Sequence, residues 1–338
     1  MNLLAHDASI LTHDNQIRSS IEPDQILAVE TRSLRKVYGR FVSVADLSID
    51  VRHGEVFGFL GPNGAGKTTS IKMLMGLVRP TSGSARLLGK PLGDRSAKRR
   101  IGFLPELFRF HDWLSGVEFL DLHGKLYGMS TSERRRRIPE VLELVGLAGR
   151  GDQPLRSYSK GMQQRAGFAQ ALLNDPQIVF LDEPTSALDP VGRRDVRDII
   201  RQLRNEGRTV FLNSHLLSEV ESVCDRVAII NHGQVAAVGP MHELLRRDLT
   251  VEFRLGSWSE AVKDTLLSFG SLEELRHVAT TTIAGVNVSD DETVGRIVDA
   301  LVAIGVPVYG VTPHSLTLED LFFEVVSRQD RRDERNAH

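Results

Sequence analysis

Gly61-Pro62-Asn63-Gly64-Ala65-Gly66-Lys67-Thr68 fits the spacing G-x-x-x-x-G-K-[ST] without a mismatch. Glycines at these positions let successive backbone N–H groups curl around phosphate oxygens, where a Cβ would intrude. A helix opening at Lys67 adds its N-terminal dipole to the same anion site. Lys67 then supplies a point charge for β- and γ-phosphates, and the Thr68 hydroxyl, with Thr69 beside it, faces the same site as a Mg²⁺ ligand. A second chemical constellation ends the apolar run IVFLDEP, where Asp182 and Glu183 follow one another. Two carboxylates at the end of a buried strand are costly unless something compensates them. A hydrated Mg²⁺ would compensate Asp182 and leave Glu183 free to polarise a water in line with the γ-phosphate.

Phosphate-loop kinases, GTPases, helicases and transport ATPases share these two features. Three further segments narrow the choice: Ser157-Tyr158-Ser159-Lys160-Gly161-Met162-Gln163-Gln164-Arg165 before the carboxylates, Ser186-Ala187-Leu188-Asp189 just after them, and Asn213-Ser214-His215 after the next apolar run. Ser159 and the N–H groups near Gly161 can donate to phosphate oxygens beside a helix starting near Met162. Ser186-x-x-Asp189 also has the form of a helix cap.

These residues need a scaffold of strands and helices. Leu27 to Val51 reads as short strands joined by a turn at Tyr38-Gly39-Arg40, and EVFGFL as a strand leading into the phosphate loop. Ile71, Leu74, Met75 and Val78 form the stripe of a core-facing helix. Ile178–Leu181, Thr209–Leu212 and Arg226–Ile230 are nearly continuous apolar runs, as in parallel strands buried on both faces. Val196, Ile199, Ile200 and Leu203 mark a helix between the first two. Alternating strands and helices predict an α/β fold. Residues 107 to 157 contain no strand runs and read as a helical insertion, with Trp113, Phe108, Phe110 and Phe119 as its core or rim.

Past Gly239-Pro240 the pattern changes. TVEFRLG, TTTIAGVNV and PVYGV read as strands separated by helices, a small α+β domain over 241–328. Ser289 to Glu292 has the form of a capping box for one helix, and Thr317 with Asp320 opens the last one. Residues 1–24 read as a flexible tail and 329–338 as a charged tail.

With the motifs in this order, residues 27–240 resemble the ATP-binding subunits of ATP-binding-cassette (ABC) transporters, and YSKGMQQR resembles the family's LSGGQQQR signature. The variant signature and the carboxyl-terminal extension are most similar to bacterial ABC-2-type exporters of the drug-resistance and sodium-efflux kind. The resemblance implies a P-loop ABC ATPase domain over 25–240, with a helical insertion and an antiparallel β subdomain. It implies ATP and Mg²⁺ as ligands, Glu183 as general base and His215 as the switch histidine at the γ-phosphate. Tyr38 corresponds to the aromatic that stacks on adenine, and Asp189 to an aspartate linking two sites. Ser159, Lys160, Gly161 and Met162 of one copy would close over the nucleotide of a second copy, and a separate polytopic permease would receive the stroke at the insertion.

Two positions depart from the family pattern. Lys160 stands where glycine is usual and brings positive charge to the interface. Glu106, in IGFLPE, stands where glutamine is usual; it can still ligate Mg²⁺ or its water through oxygen, but it adds negative charge beside the phosphates.

Composition fits a soluble intracellular protein; the resemblance implies a cytoplasmic place at the inner face of the cell membrane, held there through the permease. The chain has 338 residues, 42 Lys+Arg against 44 Asp+Glu and a net charge of −2, which argues against a basic field built for nucleic acid. One cysteine, Cys224, rules out a disulfide framework. No apolar run reaches the ~18 residues of a spanning helix, and MNLLAHDASILTHD lacks the form of a signal peptide. The basic runs Lys98-Arg99-Arg100 and Arg134 to Arg137 lack interleaved aromatics and read as solvated faces. Rival readings are a soluble ABC-type ATPase of translation or DNA repair, which usually has two cassettes or a long coiled-coil insertion, and a phosphate-loop kinase or nucleotide sensor.

Overall fold

A computed structural model describes residues 27–106, 110–186, 188–245, 249–278, 280–314 and 316–336. The predicted 1–24 tail lies outside them. The chain divides into two compact units, up to Val238 and from Gly239 onward.

The first unit is built on one mixed sheet. In chain order its elements are β1 (Leu27–Tyr38), β2 (Phe41–Leu47), β3 (Asp50–Arg52), β4 (Val56–Leu60), α1 (Lys67–Leu74), β5 (Ser82–Leu87), β6 (Lys90–Pro91), α2 (Arg95–Lys98) and β7 (Ile101–Leu104). The insertion follows with α3 (Gly116–Leu126) and α4 (Thr131–Leu144), and then come α5 (Lys160–Leu172), β8 (Ile178–Asp182), α6 (Pro190–Asn205), β9 (Thr209–Asn213), α7 (Leu217–Val223), β10 (Arg226–Asn231) and β11 (Gln234–Pro240). The sheet order is β6-β5-β1-β2-β11-β10-β4-β9-β8-β7, with β3 on β1. β10, β4, β9, β8 and β7 run parallel, whereas β1 pairs antiparallel with β2, β3 and β5.

β4, β8 and β9 are buried at every position, which explains their unbroken apolar sequences. Phe57 and Phe211 face one another in register on β4 and β9, as do Phe180 and Phe211 on β8 and β9. The Phe211 ring lies 5.7, 5.2 and 5.0 Å from those of Phe57, Phe59 and Phe180. Each buried phenylalanine is worth about 1.5–3 kcal/mol by transfer from water. This cluster therefore fixes the three strands whose ends carry the candidate chemistry.

Local capping explains the insertion. Ser115 with Glu118 and Ser130 with Glu133 form reciprocal capping boxes that start α3 and α4. Phe119 is buried and Phe110 packs edge-on against it at 5.4 Å, but Trp113 is 70% exposed and so is not part of the core. Phe108 lies outside the described residues. α1 is shorter than its apolar stripe predicts. It ends at Leu74 and the chain turns at Gly76 with φ +68°, leaving Val78 beyond the helix.

The second unit contains α8 (Met241–Leu244), β12 (Leu249–Leu255), α9 (Glu260–Leu267), β13 (Ser271–Val278), β14 (Thr281–Val288), α10 (Asp291–Ala303), β15 (Val308–His314) and α11 (Leu318–Asn336). From β12 to β15 the order βαββαβ and the antiparallel sheet β13-β14-β12-β15 make a split βαβ arrangement. Val251, Phe253, Ala284 and Val286 of the sheet and Val262, Leu266, Ile297 and Leu301 of α9 and α10 share its core. Three local expectations are corrected. Asp290, not Ser289, caps α10, its carboxylate accepting from the Thr293 N–H at 2.7 Å. Residues 329–336 continue helix α11 rather than forming a tail. β13, SLEELRHV, is a strand with little apolar alternation; pairing with β14 outweighs its composition.

Candidate functional site

The site residues sit where the parallel strands stop. β4 runs into the phosphate loop, which ends at Gly66, the N-cap of α1 with φ +100°. A Cβ on Gly66 would lie 2.4 Å from the Ser43 carbonyl, and one on Gly61 would lie 2.4 Å from the Ile230 carbonyl. The loop is thus wedged between β2 and β10, and glycine is required by space at both ends. The Gly233 N–H donates to the Ala65 carbonyl at 3.1 Å, and the Ser43 hydroxyl donates to Thr69 Oγ1 at 2.9 Å. Pro62 is half-buried, whereas Asn63, Gly64 and Thr68 are exposed at the open side of the loop.

Lys67 Nζ donates to the carbonyls of Gly61 and Pro62 at 2.7 and 3.1 Å. Burial lowers its pKa, and the charges of Glu183, Asp182 and Glu106 act in the opposite direction. Those three carboxylates come from neighbouring strand ends. Leu104 of β7 pairs with Leu181 of β8, so Glu106 leaves the sheet beside Asp182. Asp182 is in register with Asn213 of β9, whose amide donates to Asp182 Oδ1 at 2.5 Å. Burial raises the Asp182 pKa, the Asn213 hydrogen bond opposes this, and the charges of Glu106 and Glu183 raise it further.

Glu183 has a left-handed backbone, φ +53°, and its N–H donates to the Asn213 carbonyl at 2.8 Å. Such a conformation costs a non-glycine residue roughly 1–3 kcal/mol and is held by its surroundings. Here it turns the side chain so that Glu183 Oε2 lies 2.6 Å from His215 Nδ1. The carboxylate is nearly buried while the His215 ring is over half exposed. Lys67, Glu106, Asp182, Glu183 and His215 are therefore gathered at one edge of the sheet.

Other predicted residues lie elsewhere on the first unit. Ser159 is the N-cap of α5 and its hydroxyl accepts from the Met162 N–H at 3.3 Å, so the helix opens two residues before the predicted start. Ser159 and Lys160 are exposed, and a Cβ on Gly161 would meet nothing closer than 3.7 Å. Among the described residues no hydrogen bond joins Ser159–Met162 to the phosphate loop of the same chain. Asp189 caps α6 directly, accepting from the Gly192 N–H at 2.7 Å, so the cap belongs to it and not to Ser186. Tyr38 is exposed at the β1–β2 turn, with Lys36 Nζ 4.8 Å from its ring centre.

Sequence reasoning missed Ser43, which buttresses the phosphate loop from β2, and the role of Asn213. An asparagine ending the buried run TVFLN was the available signal for the second. Nothing local marked the first.

Residues 44–186 match the family model described as ABC transporter. The chain is 47% identical over 265 residues to an ABC transporter ATP-binding protein of Synechocystis, covering 75% of each chain. The chain belongs to the ABC transporter ATP-binding proteins. As a member of that family it is an ATP hydrolase of the ABC type. It is also 40% identical over 238 residues to the bacitracin transport ATP-binding protein of Bacillus licheniformis, covering 69% of this chain and 77% of that one. An ATP-binding cassette solved as a dimer in a post-hydrolysis state with ADP and Pi superposes with a TM-score of 0.58 at 26% identity, over 63% of this chain and 98% of that one. Among the described residues of this ABC protein, no helix is long and apolar enough to cross a membrane.

Proposed function

We propose that this ABC ATP-binding subunit powers an exporter, working as a pair of like chains that sandwich two Mg-ATP molecules and drive a separate polytopic permease at the inner face of the membrane. The relative named for bacitracin transport supports the exporter reading. The observation that carries the hydrolytic reading is the Glu183–His215 contact beside Asp182 and Lys67. The outward-facing Ser159–Met162 segment, without a partner in its own phosphate loop, supports a second copy as its target.

In this reading the phosphate loop, from Gly61 to Thr69, cradles the triphosphate through backbone N–H groups, and Lys67 moves from its carbonyl partners to the phosphates. Tyr38 stacks on the base, and Asp189 faces the partner. Glu183 accepts a proton from the attacking water, and His215 fixes the Glu183 carboxylate and reaches toward the γ-phosphate. Thr68, Asp182 and Glu106 are hard oxygen donors, a set suited to Mg²⁺, and the mutual repulsion of the carboxylates favours a cation among them. When bound, Mg²⁺ would supply charge neutralisation on the phosphate oxygens.

Glu183→Gln keeps the shape of the site and removes the base. The expected result is ATP binding retained, turnover lowered by about 10²–10⁴-fold, and dimer accumulating on size exclusion with ATP. Near-normal phosphate release would remove Glu183 from the mechanism. A variant that binds ATP but stays monomeric would remove the sandwich.

A further inference from the structure

Behind the Glu183–His215 pair lies a second polar group that the mechanism above does not use. The Thr185 hydroxyl is buried, its residue only 2% exposed, and has no hydrogen-bond partner among the described residues. Thr185 lines a largely enclosed cavity of about 10 Å³ whose wall is mainly apolar, Val196, Ile200 and Val223 among it, with Ser214 and Glu219 as further polar residues. An orphaned hydroxyl in the interior is costly, so its retention calls for a partner. A cavity of this size holds about one water molecule when polar groups surround it.

The cavity joins the loops that carry the reacting groups. Thr185 is two residues past Glu183, and its carbonyl accepts from the Leu188 N–H at 3.1 Å. Ser214 immediately precedes His215, and its hydroxyl accepts from the Leu216 N–H at 3.1 Å. Glu219, buried in the first turn of α7, lines the same cavity. Arg193 of α6 sits 3.9 Å from the Glu219 carboxylate and donates to the Leu188 carbonyl at 3.1 Å. A chain of polar contacts thus runs from the carboxylate loop through Leu188 and Arg193 of α6 to Glu219 of α7, and the Thr185 hydroxyl stands outside it.

We propose that one water held in this cavity bridges the Thr185 hydroxyl and the Glu219 carboxylate, locking the loop of Glu183 to the loop of His215. Thr185 and Glu219 are then positioning residues for hydrolysis. They touch neither nucleotide nor attacking water, and act by keeping Glu183 Oε2 against His215 Nδ1. The inference rests on the roles given to Glu183 and His215 under Proposed function.

The test uses Thr185→Val, which replaces the hydroxyl by a methyl, Thr185→Ser, which restores it, and Glu219→Gln. The valine variant should lose about ten- to a hundredfold in kcat with little change in KM for ATP, as expected for a small misplacement of reacting groups. Serine should recover most of the rate, and a crystal structure should show the bridging water in wild type and not in the valine variant. Glu219→Gln should also lower kcat at constant KM, and it serves as the reading if the valine variant fails to fold. Valine at the wild-type rate, or valine and serine equally slow, overturns the latch, as does a dry cavity in the wild type. Glu183→Gln run alongside separates the two claims: normal turnover there sinks the role of Glu183, whereas slow Glu183→Gln with normal Thr185→Val sinks only the latch.

Discussion

The two sheets of this protein use their strands differently. In the first unit five parallel strands are buried, and four of them, β4, β7, β8 and β9, end in residues with chemistry: the phosphate loop, Glu106, the Asp182–Glu183 pair and Asn213 leading to His215. In the second unit the antiparallel β12–β15 sheet presents one face to α9 and α10 and sets charges on the other, where Arg276 pairs with Glu252 at 2.9 Å and with Glu274 at 3.0 Å. Its edge strands are blunted by charge in β13 and by Pro313 in β15. Parallel strands all finish at the same edge, so residues distant in sequence meet there. An antiparallel sheet splits its strand ends between two edges and stays a packing device.

The comparison breaks most directly at Lys67. Lys67→Ala should abolish turnover and weaken ATP binding by orders of magnitude, since the ammonium facing Glu106, Asp182 and Glu183 is removed. Nucleotide binding followed by fluorescence, with phosphate release, checks this. Unchanged affinity would mean that the gathered carboxylates are not a nucleotide site. A smaller effect is expected one layer down. Phe211→Ala removes the ring shared by Phe57, Phe59 and Phe180, and should destabilise the first unit by about 3–5 kcal/mol. Urea unfolding followed through ATP binding reads it. Arg276→Ala in the second unit, by contrast, should change stability by less than about 1 kcal/mol, because its pairs are solvent-screened.

How much was legible in the sequence follows the same division. The phosphate loop, the carboxylate pair and the buried parallel strands are local patterns, and each appears where its spacing places it. The Glu183–His215 contact required two strand ends to be adjacent, which periodicity alone does not state; only the resemblance to a family placed them together. Ser43 was invisible because its role depends on β2 crossing the phosphate loop from elsewhere in the sheet. In the second unit β13 was missed because Leu272 and Leu275 are spaced as on a helix, and only the pairing with β14 makes the segment extended. Trp113 was left between core and rim: a large aromatic among other aromatics fits either, and the structure puts it on the surface, outside the core.

The smallest effect tests whether the insertion behaves as a packed part of the first unit. His123 on α3 lies against Phe119 with ring centres 4.6 Å apart, and burial, with a lesser contribution from His111, lowers its pKa below the ordinary 6.5. The folded protein therefore binds fewer protons at His123 than the unfolded chain does between the two values. Stability must rise with pH across that interval, and fall as pH drops below about 6.5 and the unfolded chain takes up the proton. Comparing thermal melts at pH 7.5 and pH 5.5, wild type should lose more stability on acidification than His123→Leu, which cannot titrate there. Equal losses in the two proteins would show that the imidazole is as hydrated in the folded state as in the unfolded one. The α3 face carrying Phe119 and His123 would then be looser than the parallel core beside it.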